Sequence, residues 1–240
     1  MLEAKALAAL AFIAAPGIAM AAPNGWSGDA GLGYIASNGN TKSSTGNAKL
    51  SLIYTQDVWQ NTFLASASGT SSDSTTTGEQ YGASDKLAYS FTANDYAFGS
   101  VEWAKDLYGP ILQRTVESVG YGRHVLTGPV HLLDLEAGVG ERQETVNNVA
   151  EDKHNNLIGR FAGKYTWKIS DTSTFGETLK VETGNSDTFT ESVTELKVNV
   201  VANIFASASY TLRHNSTVPV GASKTDTITA LNLSYAFGAK

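Results

Sequence analysis

Four consecutive residues, Arg213, His214, Asn215 and Ser216, bring together a guanidinium, an imidazole, an amide and a hydroxyl. In a strand, residues two apart share a face, so His214 and Ser216 would stand side by side. A base next to a hydroxyl is the beginning of a nucleophilic site, in which the imidazole takes the serine proton and a third group orients the ring. No orienting residue or oxyanion element accompanies them, and Asn-Ser is also ordinary turn chemistry at a strand end. His124 and His131 flank the Gly128-Pro129 turn and could share a metal. A third ligand is missing, so they read as rim histidines. Asp73, Glu151, Asp152 and Asp187 lie in polar stretches without the spaced oxygen ligands of a calcium loop. The glycines of "GVGERQ" precede no helix and cradle no phosphate. No metal or cofactor is expected.

A larger set of ionisable residues sits inside striped segments. Leu133, Leu135, Ala137 and Val139 alternate with Asp134, Glu136 and Gly138. Leu157, Phe161, Tyr165 and Trp167 alternate with Ile158, Arg160 and Lys164. Further on, Lys180 and Glu182 oppose Leu179 and Val181, and Glu195 and Lys197 oppose Leu196 and Val198. Charges of both signs in mid-strand suit a cross-linked polar lumen, because lone charges in a narrow space are poorly solvated. Arg213 and Asp226 flank the last long loop and are expected to pair across it. Together these ten residues form the expected lumen lining.

The elements that carry them are strands. The 240 residues include 23 glycines and only 5 prolines, with many Thr, Ser and Asn. That mixture favours strands and turns over helices. Twelve striped segments can be marked, although strands three to six alternate ambiguously and counts of ten or fourteen also fit. Connections near Asp57, Asn94, Gly128, Asp171 and Asn203 are short. Those near Gly39, Ser72, Gly109, Asn148, Asn185 and Pro219 are mostly longer and more polar, with "QETVNNVAEDKHN" the longest. The expected fold is all-β, an antiparallel transmembrane β-barrel of about 12 strands with short periplasmic turns and longer extracellular loops. A periplasmic β-sandwich that binds a soluble ligand would also alternate. The aromatic residues near strand ends and the charged inner row favour the barrel.

The chain has no cysteine and a net charge of −6. Thiol chemistry is excluded, and a nucleic-acid surface is not expected. Residues 1–22 read as a signal peptide: an apolar run shorter than a membrane helix, broken at Pro16-Gly17, then Ala19-Met20-Ala21 in small-x-small form. Residues 23–240 form the barrel domain. The final stripe, Leu231, Leu233, Tyr235 and Phe237, faces lipid and resembles the terminal-strand signal by which outer-membrane proteins are recognised for assembly. Gly238-Ala239-Lys240 follows it, where the aromatic is usually last.

"GWSGDAGLGYIASNGNT", "LDLEAGVGERQ", "YTWKISDTSTF" and "YTLRHNSTVPVGASKTDT" resemble the YdiY-like family, labelled salt-induced outer-membrane proteins. The resemblance covers essentially the whole mature chain and implies a Gram-negative outer-membrane location, with no activity attached. A His and a Ser two apart on an outer barrel face also resembles outer-membrane phospholipase A, whose surrounding motif is absent. The expected function is passive passage of small solutes or ions through a narrow polar lumen, or envelope integrity under osmotic or salt stress. The alternatives are a lipid hydrolase using Ser216 and His214, or the periplasmic sandwich. Expected partners are outer-membrane lipids, lipopolysaccharide and the barrel-assembly machinery; the expected state is a monomer.

Overall fold

The computed structural model describes residues 24–37, 43–148 and 150–238. The expected signal peptide lies outside the described residues. Twelve strands run in chain order: β1 Gly25–Ser37, β2 Ser43–Gln56, β3 Trp59–Ser72, β4 Thr75–Ser90, β5 Asp95–Asp106 and β6 Ile111–Thr127. The second six are β7 His131–Val146, β8 Lys153–Lys168, β9 Ser173–Gly184, β10 Thr188–Val201, β11 Ile204–Asn215 and β12 Thr225–Gly238. Each strand pairs antiparallel with its sequence neighbours, and β1 pairs with β12 to close the ring. Closure leaves no free edge and excludes the sandwich.

The pleat decides what faces where. Leu133, Leu135, Ala137 and Val139 lie opposite Tyr165, Gly163, Phe161 and Gly159 in register. These rows face outward: Leu157 is 76% exposed, Leu32 72% and Val139 60%. The inward rows are the reverse, and Arg142 and Glu182 are completely buried. An apolar outside around a charged inside is the pattern of a barrel in lipid. At the rim where β1 starts and β12 ends, here the lower rim, aromatics pair across strands. Trp26 lies 4.9 Å from Tyr54, Trp59 4.8 Å from Tyr89, and His131 stacks near Tyr165 and Trp167. Such amphipathic rings suit a membrane interface.

The connections differ from expectation. "GTSSDSTTTGE" is not a loop: strands β3 and β4 run through it and meet at Asp73-Ser74. Both residues have positive φ, 48° and 66°, as a type I′ hairpin turn requires. Likewise β7 extends to Val146, so the longest described connection is Ser216–Lys224 rather than the one after β7. The physical reason is that polar residues keep a ladder when alternate side chains can reach the lumen on one side and water on the other. Polarity alone therefore does not end a strand.

Candidate functional site

Bare backbone on the β6 wall seats the lower part of the lumen. A Cβ on Gly122 would come within 2.2 Å of the Tyr96 ring, and one on Gly120 within 2.7 Å of the Phe98 ring. The glycines therefore let two inward aromatics from β5 lie flat on the neighbouring strand. Tyr96 donates its hydroxyl to Glu136 Oε1 at 2.8 Å, and its ring lies 5.0 Å from that of His124. Phe98 is covered by two cations, Lys86 Nζ at 4.8 Å and the Arg160 guanidinium at 5.4 Å, a cation–π arrangement on both counts.

Charges then bridge strands, several of which are not neighbours. Glu136 on β7 binds Lys86 on β4 and accepts from Arg160 on β8 at 2.9 Å. Glu102 on β5 accepts from Lys180 on β9 at 2.6 Å and lies 3.4 Å from Arg160. Lys49 on β2 reaches Glu195 on β10 at 3.2 Å, and Lys197 shares that carboxylate, also at 3.2 Å. The hydrogen-bonding wall holds neighbours together, and these ties brace the lumen across it.

The upper part is tighter. Arg142 contacts Asp187, Glu144 and Glu182, the last two at 3.6 Å. Arg114 donates to Glu144 at 2.6 Å and to Asn215 at 2.7 Å, across the lumen on β11. Its guanidinium also lies 4.1 Å from the centre of the buried Phe189 ring, with Lys180 5.7 Å from the same ring. Val193, Ile158 and Val116 are also buried, each at most 2% exposed. This layer separates two cavities. The lower one holds about 560 Å3 and is lined by residues including Lys86, Asp134, Glu136, Arg160 and Lys164. The upper one holds about 90 Å3 and is lined by residues including Arg114, Phe189, Arg213 and Asp226. Glu191 lines the lower cavity and Arg213 the upper, and their 2.6 Å ion pair crosses the layer between.

All ten expected lumen residues lie on inward rows, but they do not all meet as expected. Arg213 is directly opposite Asp226 in register, as the last hairpin requires. Its hydrogen-bonded ion pair, however, is with Glu191 on the other flanking strand. Asp134 is directly opposite Lys164, while its carboxylate binds His124 Nδ1 at 2.5 Å. His124 is therefore a lumen residue, not a rim one. His131 is exposed on the outer face against Tyr165, so the two histidines stand on opposite sides of the wall and share no metal. Lys49, Lys86, Glu102, Arg114, Arg142, Glu144 and Glu191 join the lumen without being among the expected residues. For Lys49 and Glu102 the alternation of β2 and β5 carries the signal.

The Arg213-His214-Asn215-Ser216 constellation is divided by the wall. Arg213 and Asn215 face inward into the septum. His214 Nδ1 is bonded to the Thr225 hydroxyl at 2.9 Å. Ser216 lies beyond β11, where its hydroxyl accepts the Thr188 amide at 2.7 Å. Nucleophile and base are thus held by different partners.

A closed barrel with an apolar exterior, a braced polar lumen and this strand order meets its relatives at family level. The family described as "Protein of unknown function, DUF481" matches residues 30–237. The chain belongs to that family. It is 32% identical over 209 residues to "Uncharacterized protein YdiY" of Escherichia coli (strain K12), covering 87% of this chain and 82% of that protein. Among solved structures, the outer-membrane channel COG4313 from Pseudomonas putida F1 aligns with a TM-score of 0.56 at 14% identity. That alignment spans 94% of this chain and 100% of the channel. The NanC porin aligns with a TM-score of 0.53 at 12% identity, over 89% of this chain and 100% of the porin. The family member described here thus shares the fold of outer-membrane channels.

Proposed function

We propose that the protein is a narrow channel of the Gram-negative outer membrane that passes small polar solutes or ions passively. In this reading the lower rim faces the periplasm. The observation that carries it is the pair of cavities, both with charged residues in their linings, inside an apolar outer wall and divided by one ion-paired layer. Such a septum can open by exchange of partners, because several of its ions contact more than one counter-ion: Lys180 with Glu102, Glu182 and Glu191, and Arg142 with Glu144, Glu182 and Asp187. Outward Leu231, Leu233, Tyr235 and Phe237 would serve lipid contact and recognition by the barrel-assembly machinery. Lipids and lipopolysaccharide would surround a monomer, with no enzymatic role.

Planar-bilayer recording tests this. The wild type is expected to give small conductance steps, and Phe189→Ala larger ones, because that ring stands between the cavities. Silence from both proteins would remove solute passage. It would leave envelope integrity under osmotic or salt stress, a reading favoured by the complete burial of Arg142 and Glu182 in the closed layer.

A further inference from the structure

We propose that the upper cavity is a binding site for a hard divalent cation, held by the carboxylates of Asp106 and Asp226 and the side-chain carbonyl of Gln80. Such a site goes beyond the channel reading and needs no solute passage through the septum.

The two carboxylates of this cavity lack a counter-charge. Arg114 and Arg213 line it with them, but Arg114 is paired with Glu144 and Arg213 with Glu191, and neither glutamate is part of the lining. Lys105, the third cation of the lining, stands on the outward row of β5 with Val101 and Trp103, whereas Asp106 shares the inward row with Glu102. Asp226 lies opposite Arg213 in register, yet among the described residues no hydrogen bond or ion pair reaches its carboxylate. The like charge of Asp106 acts on it more strongly than the opposite charge of Arg213. Gln80 supplies an independent sign. It is opposite Asp106 in register and donates Nε2 to Asp106 Oδ2 at 2.6 Å. An ionised carboxylate only accepts, so the amide is fixed with its NH2 toward Asp106 and its oxygen turned away. That oxygen, Oε1, has no hydrogen-bond partner, on a residue that is 3% exposed and lines the cavity. A buried carbonyl without a partner is costly, and only a donor or a cation satisfies it.

The free acceptors match one cation. Asp106 spends Oδ1 on the Tyr108 and Gly109 amides and Oδ2 on Gln80, leaving about one of its roughly four acceptor sites. The Asp226 carboxylate and Gln80 Oε1 are wholly available. A divalent ion serves all three residues and cancels the repulsion between the two carboxylates. The cavity, at about 90 Å3, has room for its remaining waters, since roughly 10–15 Å3 suffices for one. Two carboxylates, an amide carbonyl and water are the oxygen set of calcium or magnesium rather than of a transition metal. Among the described residues no group of three His, Cys, Asp or Glu stands ready for a metal, so the site is a weak one. Its donors come from β4, β5 and β12, and no sequence motif spells it.

The test uses the full barrel in detergent, freed of divalent ions with a chelator. Calcium chloride is the probe, and potassium chloride at matched ionic strength is the control. Two readouts are taken: calorimetric binding and the midpoint of heat-induced unfolding. Calcium is expected to bind with a Kd of about 0.1–1 mM and to raise the midpoint, with potassium doing neither. Asp226→Asn and Gln80→Leu are each expected to weaken calcium binding about tenfold or more, because affinity follows the charge and number of the ligands. Heat-modifiable migration on gels checks that both variants are folded. In chelator, Asp226→Asn should unfold no lower than the wild type, since it removes a repulsion rather than a bond. No calcium binding by the wild type at millimolar concentration would overturn the proposal. So would undiminished binding by the two folded variants, or an Asp226→Asn barrel destabilised equally in chelator and in calcium. Calcium binding without conductance would retain the site and remove the channel; conductance without calcium binding would do the opposite.

Discussion

The two halves of the lumen use different cations. Of the inward arginines, Arg142 is fully buried in the sealed layer and Arg114 and Arg213 line the upper cavity, while Arg160 alone of the four lines the lower one. Lys86 and Lys164 line the larger, lower cavity. Lys180 joins the two halves, meeting Glu102 below and Glu182 above. The chemistry of the side chains explains the division. A guanidinium is planar, offers a rigid fork and can bind several carboxylates at once, so it makes a septum. An ammonium is a compact point charge on a flexible stem and lacks that fixed fork, so it braces a wall without sealing it.

The largest expected effect lies in the upper half. Arg142→Met would leave Glu182, Glu144 and Asp187 without their shared cation. Arg142 and Glu182 are fully buried, so breaking the cluster is expected to cost about 3–5 kcal/mol in unfolding from detergent. Lys197→Met in the lower half is expected to cost about 1 kcal/mol or less, since Lys49 still serves Glu195. Equal costs would erase the contrast between the halves.

The next effect separates partners within the septum. Double-mutant cycles with Arg213→Ala should give a coupling of about 1–3 kcal/mol with Glu191→Ala. With Asp226→Ala the coupling should be clearly smaller, although both residues are direct register neighbours of Arg213. The reverse order would restore the pairing expected from the sequence. Salt supplies a third and weaker comparison. Coupling between Lys49 and Glu195 should fall on going from low salt to about 1 M, where the screening length shrinks to roughly 3 Å. Coupling within the buried Arg142 cluster should hardly change. A fall of the same size in both would mean that water and ions reach the septum.

Much of this division is legible in the sequence. Alternation of Leu133 to Val139 against Asp134 and Glu136 is enough to assign faces, because a one-residue slip would turn every charge into lipid. The turns point to about twelve strands, with ten and fourteen still open in the ambiguous stretch of strands three to six. Arg142 escapes because it falls just before "QETVNNVAEDKHN", read as a polar loop, whereas β7 continues to Val146 and carries Arg142 and Glu144 into the septum. Pairing is legible only between strand neighbours. Lys86 with Glu136, and Lys49 with Glu195, join strands that are not adjacent, and only the closed cross-section brings them together. The septum depends on Phe189 too, a residue whose lone aromatic ring gives no pattern to read.

The smallest expected effect concerns the one serine that the sequence places beside a base. Ser216 lies at the top of the barrel, above the septum, and binds the start of β10. Its hydroxyl accepts the Thr188 amide at 2.7 Å, and its own amide donates to the Thr188 carbonyl at 2.9 Å. Its carbonyl accepts from Lys224 Nζ at 2.7 Å. Two of these three bonds use backbone atoms and survive Ser216→Ala. The third leaves an amide near the barrel end that water can reach, so the loss should be about 1 kcal/mol or less. Conductance should stay at the wild-type value, because the ion-paired layer lies below Ser216. Phospholipid turnover should match background in the two proteins, since His214 is held by Thr225 rather than aimed at the serine. Turnover by the wild type that disappears in Ser216→Ala would reverse this. It would move the working site from the lumen to the outer face of the barrel.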